Sequence, residues 1–170
     1  DDLPVLLVVG GSLGTRTLNE MMKAWVLRQG GASPVQVIWQ TGKYYEREMQ
    51  AFLAAHPAAN IWQGAFIDRM DYAYAAADLI ISRAGASSIS ELCLLKKPVI
   101  LVPSPNVAED HQTKNALALV GKDAAVMVAD KDAEQQLVSK ALEIIHDDER
   151  LRVLGRNIAT LAQHQSAERI

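Results

Sequence analysis

The chain has 170 residues, 49% of them apolar and only 5% aromatic, with a formal net charge of −3. That size suits one domain with a real core, and the acidic balance, with no basic block or stripe, argues against nucleic acid as a partner. The lone cysteine, Cys93, excludes an internal disulfide, fits a reducing compartment and reads as a small core residue.

Short unbroken apolar runs alternate with segments of helical period along the chain. Leu3–Val9 predicts the first strand, ending at Gly10-Gly11. Thr15–Gln29 predicts a helix, with Leu18, Met21, Met22, Trp25 and Val26 on one face. Val35–Gln40 is the second strand and Tyr44–Ala55 the second helix. Asn60–Trp62 and Phe66-Ile67 are short and ambiguous. Met70–Ala76 is helical, Leu79–Ser82 a strand, Ser87–Leu95 a helix and Val99–Val102 a strand. Helix Glu109–Val120, strand Ala124–Val128, helix Ala133–His146 and a last helix over Glu149–Gln163 complete the series. Apolar strands of this kind belong in a sheet covered on both faces. The alternation therefore predicts an α/β fold, a doubly wound parallel six-stranded sheet with helices on both faces. No apolar run reaches the roughly 18 residues of a membrane span. Asp1-Asp2 followed at once by a strand suggests a chain cut from something longer.

In such a sheet, ligands bind beyond the carboxyl ends of the strands, where strand order reverses. Three loops there are unusual. Gly10-Gly11-Ser12-Leu13-Gly14-Thr15 lets the backbone approach a ligand and points helix N–H groups at it, which favours phosphate. A tight turn that binds nothing explains it equally. The second loop, "SRAGASSISE" (82–91), offers small side chains and hydroxyls at a helix start. Ser88-x-x-Glu91 is also a capping box, the plain structural reading. Alternatively, Glu91 accepts hydrogen bonds from a diol. The two readings combine if the unliganded helix is capped and a ligand breaks the box. The third loop, "PSPNVAEDHQ" (103–112), is stiffened by prolines and brings His111 and Gln112 to the same crevice.

Arg83 either faces phosphate or pairs with a carboxylate. Asp68 and Asp71 read as helix caps, and Tyr44-Tyr45 as packing. His56, His146 and His164 lack metal spacing, so no metal site is expected.

The stretches "VVGGSLGTRTLN" (8–19), "IWQTGK" (38–43), "FIDRMDYAYAAADLIISRAGASSISEL" (66–92), "KKPVILVPSP" (96–105) and "AEDHQTKNA" (108–116) together resemble one family. They are similar to the C-terminal, donor-binding domain of the MurG glycosyltransferases, which have the GT-B fold. The resemblance implies a Rossmann-like half of a two-domain enzyme that transfers N-acetylglucosamine from UDP-GlcNAc to lipid I, making lipid II for peptidoglycan. It implies that Ser12 and Ser88 contact the diphosphate and that Ile67 meets the uracil through its backbone. Ala86 and Ser87 would line the nucleotide pocket, Glu91 would hold the ribose hydroxyls, and His111 and Gln112 would reach the GlcNAc. Gly11, Gly14, Asn19 and Arg83 fall in the same motifs. Many members have Gln at the position of His111 and Thr at that of Ser88.

The resemblance implies no cofactor, and the matched loops hold no Asp-x-Asp that would point to a metal. No catalytic residue is expected in this chain. The general base and the lipid I contacts would lie in an N-terminal domain absent here, so the isolated chain would bind donor without turnover. The complete enzyme would sit on the cytoplasmic face of the membrane. The rival readings are a stand-alone donor-binding subunit of a two-chain glycosyltransferase and a non-catalytic nucleotide-sugar-binding module.

Overall fold

The computed structural model of the chain describes residues 3–9, 16–29, 35–58, 60–64, 67–105 and 111–168, excepting the side chains of 29, 44, 87 and 162–168. Six strands run in chain order: β1 (Val5–Val9), β2 (Gln36–Gln40), β3 (Ile61–Gly64), β4 (Leu79–Ser82), β5 (Val99–Leu101) and β6 (Val126–Met127). Among the described residues, seven α-helices accompany them: α1 (Arg16–Gln29), α2 (Glu46–Ala55), α3 (Met70–Ala76), α4 (Ala86–Leu95), α5 (His111–Val120), α6 (Ala133–Ile145) and α7 (Asp148–Glu168).

All five strand pairings are parallel, and the strand order is β3-β2-β1-β4-β5-β6. The chain winds outward from β1 to one edge, then returns to lay β4 on the other side of β1. This is the doubly wound arrangement, and its order reverses between β1 and β4. The central strands explain their own composition. Every residue of β4 and β5 is buried, as a strand covered on both faces requires, while edge strands β3 and β6 are only partly buried.

Side chains alternate across the sheet and feed two cores. Leu6, Val8, Val37, Trp39, Leu79 and Ile81 face α1, α2 and α6. Leu7, Ile80, Val99 and Leu101 face α3, α4 and α5. Helix α7 joins the two: Leu154 belongs to the first core and Ile158 to the second, and neither is exposed. Among the described residues, no helix is long and apolar enough to cross a membrane.

Several boundaries differ from the sequence-based expectation. The second helix begins as a 3-10 turn at Lys43–Tyr45, and Tyr45 packs on the first core. The third strand runs Ile61–Gly64, and Ile67 lies beyond it, half-buried against the second core. The last helix extends over 21 residues. Neither Asp68 nor Asp71 caps α3. Arg69 holds the cap position, and Asp71 instead accepts from its guanidinium at 3.1 and 3.2 Å.

Candidate functional site

The crevice beyond the carboxyl ends of β1, β4 and β5 is organised around the short loop from Arg83 to Gly85. Two side chains on one face of α5, three residues apart, hold this loop. The Ala84 N–H donates to Gln112 Oε1 at 3.2 Å, and the Ala84 carbonyl accepts from Asn115 Nδ2 at 3.1 Å. The same Gln112 oxygen accepts from the Ser104 N–H at 2.8 Å. One amide oxygen thus joins the loop after β4 to the loop after β5. Gln112 is only 5% exposed, so the two N–H groups it satisfies would be costly to strand.

Arg83 forms the second brace. Its guanidinium donates to the Val102 carbonyl at 3.2 Å and to Asp130 Oδ1 at 2.6 Å. The side chains are 9% and 15% exposed, a nearly buried ion pair. The other Asp130 oxygen accepts from the Thr17 hydroxyl at 3.0 Å, in the first turn of α1. Asp130 opens a 3-10 turn just after β6. The ends of β4, β5 and β6 and the start of α1 are therefore fastened to each other. Of the two roles open to Arg83, the structure shows the carboxylate pairing.

Helix α4 starts at Ala86. Gly85, with φ −66° and ψ 154°, occupies the cap position without a side-chain cap bond. The first helical hydrogen bond runs from the Ile89 N–H to the Gly85 carbonyl at 2.9 Å. Ser88 is thus the third helical residue, and the expected Ser88–Glu91 capping box does not form. A capping serine needs extended backbone, which Gly85 supplies and a helical Ser88 does not. The Ser88 hydroxyl is turned toward Gly85 instead. A Cβ built on Gly85 would stand 3.6 Å from Gln112 Nε2 and 4.0 Å from Ser88 Oγ. Both polar groups thus lie beside Gly85, at ordinary van der Waals distance from that position. No acidic residue occupies the first turn of α4, whose N–H groups and dipole favour an anion there.

The remaining expected site residues fall as follows. Ala86 and Ser87 are the first two residues of α4, and Ala86 is exposed. Glu91 is exposed on the second turn of α4. His111 is exposed at the start of α5, beside buried Gln112. Asn19 is buried, and both ends of its amide are used internally. Nδ2 donates to the Thr41 carbonyl at 3.1 Å, and Oδ1 accepts from the Trp39 indole at 2.8 Å. Its place is structural, tying α1 to the end of β2. Gly11, Ser12 and Gly14 lie outside the described residues. Asn115 and Asp130 were not expected from sequence. Asn115 carried a signal, its helical spacing from Gln112; Asp130, 47 residues from Arg83, carried none.

The model of the glycosyltransferase family 28 C-terminal domain matches residues 5–170. A curated relative from Parabacteroides distasonis is 68% identical over 165 residues, covering 97% of this chain and 45% of the relative. It is named UDP-N-acetylglucosamine–N-acetylmuramyl-(pentapeptide) pyrophosphoryl-undecaprenol N-acetylglucosamine transferase. A relative of the same name from Bacteroides thetaiotaomicron is 54% identical over 98% of this chain and 45% of its own length. The crystal structure of Acinetobacter baumannii MurG superposes with a TM-score of 0.72 at 33% identity, over 96% of this chain and 46% of that one. The chain thus spans about half the length of the curated relatives it matches.

Proposed function

The chain belongs to the glycosyltransferase family 28 C-terminal domain family, and from that premise we propose that it is the sugar-nucleotide half of an N-acetylglucosaminyltransferase. Its donor is UDP-GlcNAc. Its acceptor, lipid I, is held by a second, N-terminal domain on the cytoplasmic face of the membrane. The observation that carries this reading is the convergence of Ser88 Oγ and Gln112 Nε2 on Gly85 at the start of α4, beside the reversal of strand order.

The chemistry follows from that placement. An acceptor hydroxyl attacks the anomeric carbon of GlcNAc from the face opposite UDP. The new C–O bond forms as the bond to the diphosphate breaks, and the electron pair leaves on the diphosphate oxygen. The hydroxyl proton goes to a base in the acceptor domain. This chain's part is to stabilise the departing charge. The first-turn N–H groups of α4 and the Ser88 hydroxyl donate to the diphosphate, in a crevice whose geometry is set before ligand arrives. Ser12 adds a hydroxyl from the glycine loop, with Gly11 and Gly14 allowing close approach. Ile67 meets the uracil through its backbone, and Ala86 and Ser87 line the nucleotide pocket. Glu91 accepts from the ribose hydroxyls. Gln112 Nε2 and His111 reach the sugar.

Calorimetric titration of the folded chain with UDP-GlcNAc, UDP-glucose and UDP tests this. All three are expected to bind, UDP-GlcNAc most tightly. A folded chain that binds none of them at millimolar concentration would sink the reading. Equal affinity for the three would leave nucleotide binding but remove the sugar contacts.

A further inference from the structure

One peptide unit, between Ala84 and Gly85, leads directly into α4. Two α5 side chains act on Ala84: Gln112 Oε1 accepts from its N–H at 3.2 Å, and Asn115 Nδ2 donates to its carbonyl at 3.1 Å. Ala84 is wholly buried, so water is no substitute partner for that carbonyl. A trans peptide holds its C=O and N–H antiparallel. With the Ala84 oxygen drawn toward α5, the Gly85 N–H therefore points away from α5. Among the described residues, no backbone carbonyl accepts from that N–H. This unit is also free to turn over. A half-turn of its plane would carry φ of Gly85 from −66° to about +114°, which glycine tolerates and other residues rarely adopt. Turned over, the unit presents a carbonyl oxygen where the N–H had been.

We propose that Asn115 is a positioning residue: by holding the Ala84 carbonyl it fixes the Ala84–Gly85 peptide with the Gly85 N–H available to the diphosphate. This rests on the reading that the start of α4 receives the diphosphate. The sign of the effect follows from the peptide dipole. An N–H aimed at an anion makes a charge-assisted hydrogen bond, and a carbonyl oxygen in its place repels the same anion. The amide of Asn115 suits the task, because its Nδ2 supplies a donor without adding a charge beside the site. Gly85 and Asn115 then belong together. A glycine lets the unit turn, and the side chain 30 residues later selects one of its two orientations.

The test titrates the chain and its Asn115→Ala variant with UDP and with uridine, which lacks the diphosphate, following backbone amide signals by NMR. Releasing the peptide is expected to weaken UDP about 2- to 10-fold, the worth of one hydrogen bond. Uridine affinity is expected to stay unchanged, so the preference for UDP falls by the same factor. The Gly85 amide proton is expected to shift on adding UDP to the unsubstituted chain, and to shift less in the variant. Gly85→Ala supplies the second arm. The added Cβ would meet Gln112 Nε2 at 3.6 Å and Ser88 Oγ at 4.0 Å, ordinary contacts, while excluding the positive φ. In that background Asn115→Ala is expected to leave the preference for UDP where Gly85→Ala alone puts it. An equal loss with and without Gly85 would show that Asn115 acts through general stability and not through the peptide. If Asn115→Ala weakens both ligands equally, or leaves the preference intact, Asn115 has no positioning role. If the unsubstituted chain does not prefer UDP over uridine, the diphosphate reading of α4 fails together with this one.

Discussion

Tyr74 has a distinct proton signature. Burial of its ring first, then the nearby charge of Glu91, push the phenol from an ordinary 10.0 up to about 12. Raised in the native state, this acidity means the fold holds the proton more tightly than the unfolded chain does. The resulting stability is fully present below pH 10 and disappears as pH rises from 10 to 12. Alkaline titration followed by the ultraviolet absorbance of ionised tyrosine is expected to show a late phenol that Tyr74→Phe removes. Absence of any late phenol would show that the Tyr74 ring is not kept buried in solution. The neighbouring residues mark how far local pattern reaches. Ser88-x-x-Glu91 has the spacing of a capping box, yet the box is absent because Gly85 already supplies the extended backbone before the helix. The pattern located the helix start within two residues and misassigned the partners.

The most informative element is α5. It contributes no strand, and its first described residue, His111, is exposed, but Gln112 and Asn115 set the loop that precedes α4. Gln112→Ala is expected to destabilise the chain by about 1–3 kcal/mol, because the buried N–H groups of Ala84 and Ser104 lose their shared acceptor. It would therefore weaken UDP as well as UDP-GlcNAc, where a pure sugar contact would affect UDP-GlcNAc alone. Gln112→Glu separates the two jobs: it keeps an acceptor oxygen and removes the donors. Chemical denaturation of the Glu variant is expected to show more stability than the Ala variant, because an acceptor oxygen remains, while the added carboxylate beside Gly85 weakens every UDP ligand. A Glu variant as unstable as the Ala variant would show that the donor side of the amide matters to the loop. The elements themselves were largely legible. Leu79–Ser82 and Met70–Ala76 have their expected bounds, since a fully buried strand and a short apolar helix each leave an unbroken or periodic trace. The strand at Ile61–Gly64 was poorly marked because an edge strand buries too little to need apolar residues. Of the candidate site, the three loops could be read from their small and polar residues at strand ends. The braces could not: Arg83–Asp130 is a long-range pair, and either residue alone passes for a surface charge.

At the scale of the whole molecule, the sheet separates two cores that communicate mainly through buried central strands. Helix α7 is the exception, contributing Leu154 to one core and Ile158 to the other. Its close approach is visible at Gly155, where an added Cβ would lie 3.6 Å from the Lys96 carbonyl. Leu154→Ala is expected to cost about 2–5 kcal/mol, the range for a large-to-small change at a fully buried site. Thermal unfolding followed by circular dichroism would measure it, with one cooperative transition retained. A loss well under 1 kcal/mol would mean the helix is peripheral to folding.

The brace from α5 also bears on redesign. The loop that receives the ligand and the side chain that shapes it are 28 residues apart in sequence, joined by Gln112 Oε1. Transplanting residues 82–91 from a relative with another sugar preference would import a loop without its mould. A productive chimera exchanges both segments, so that the smallest transferable unit of specificity is discontinuous in the gene.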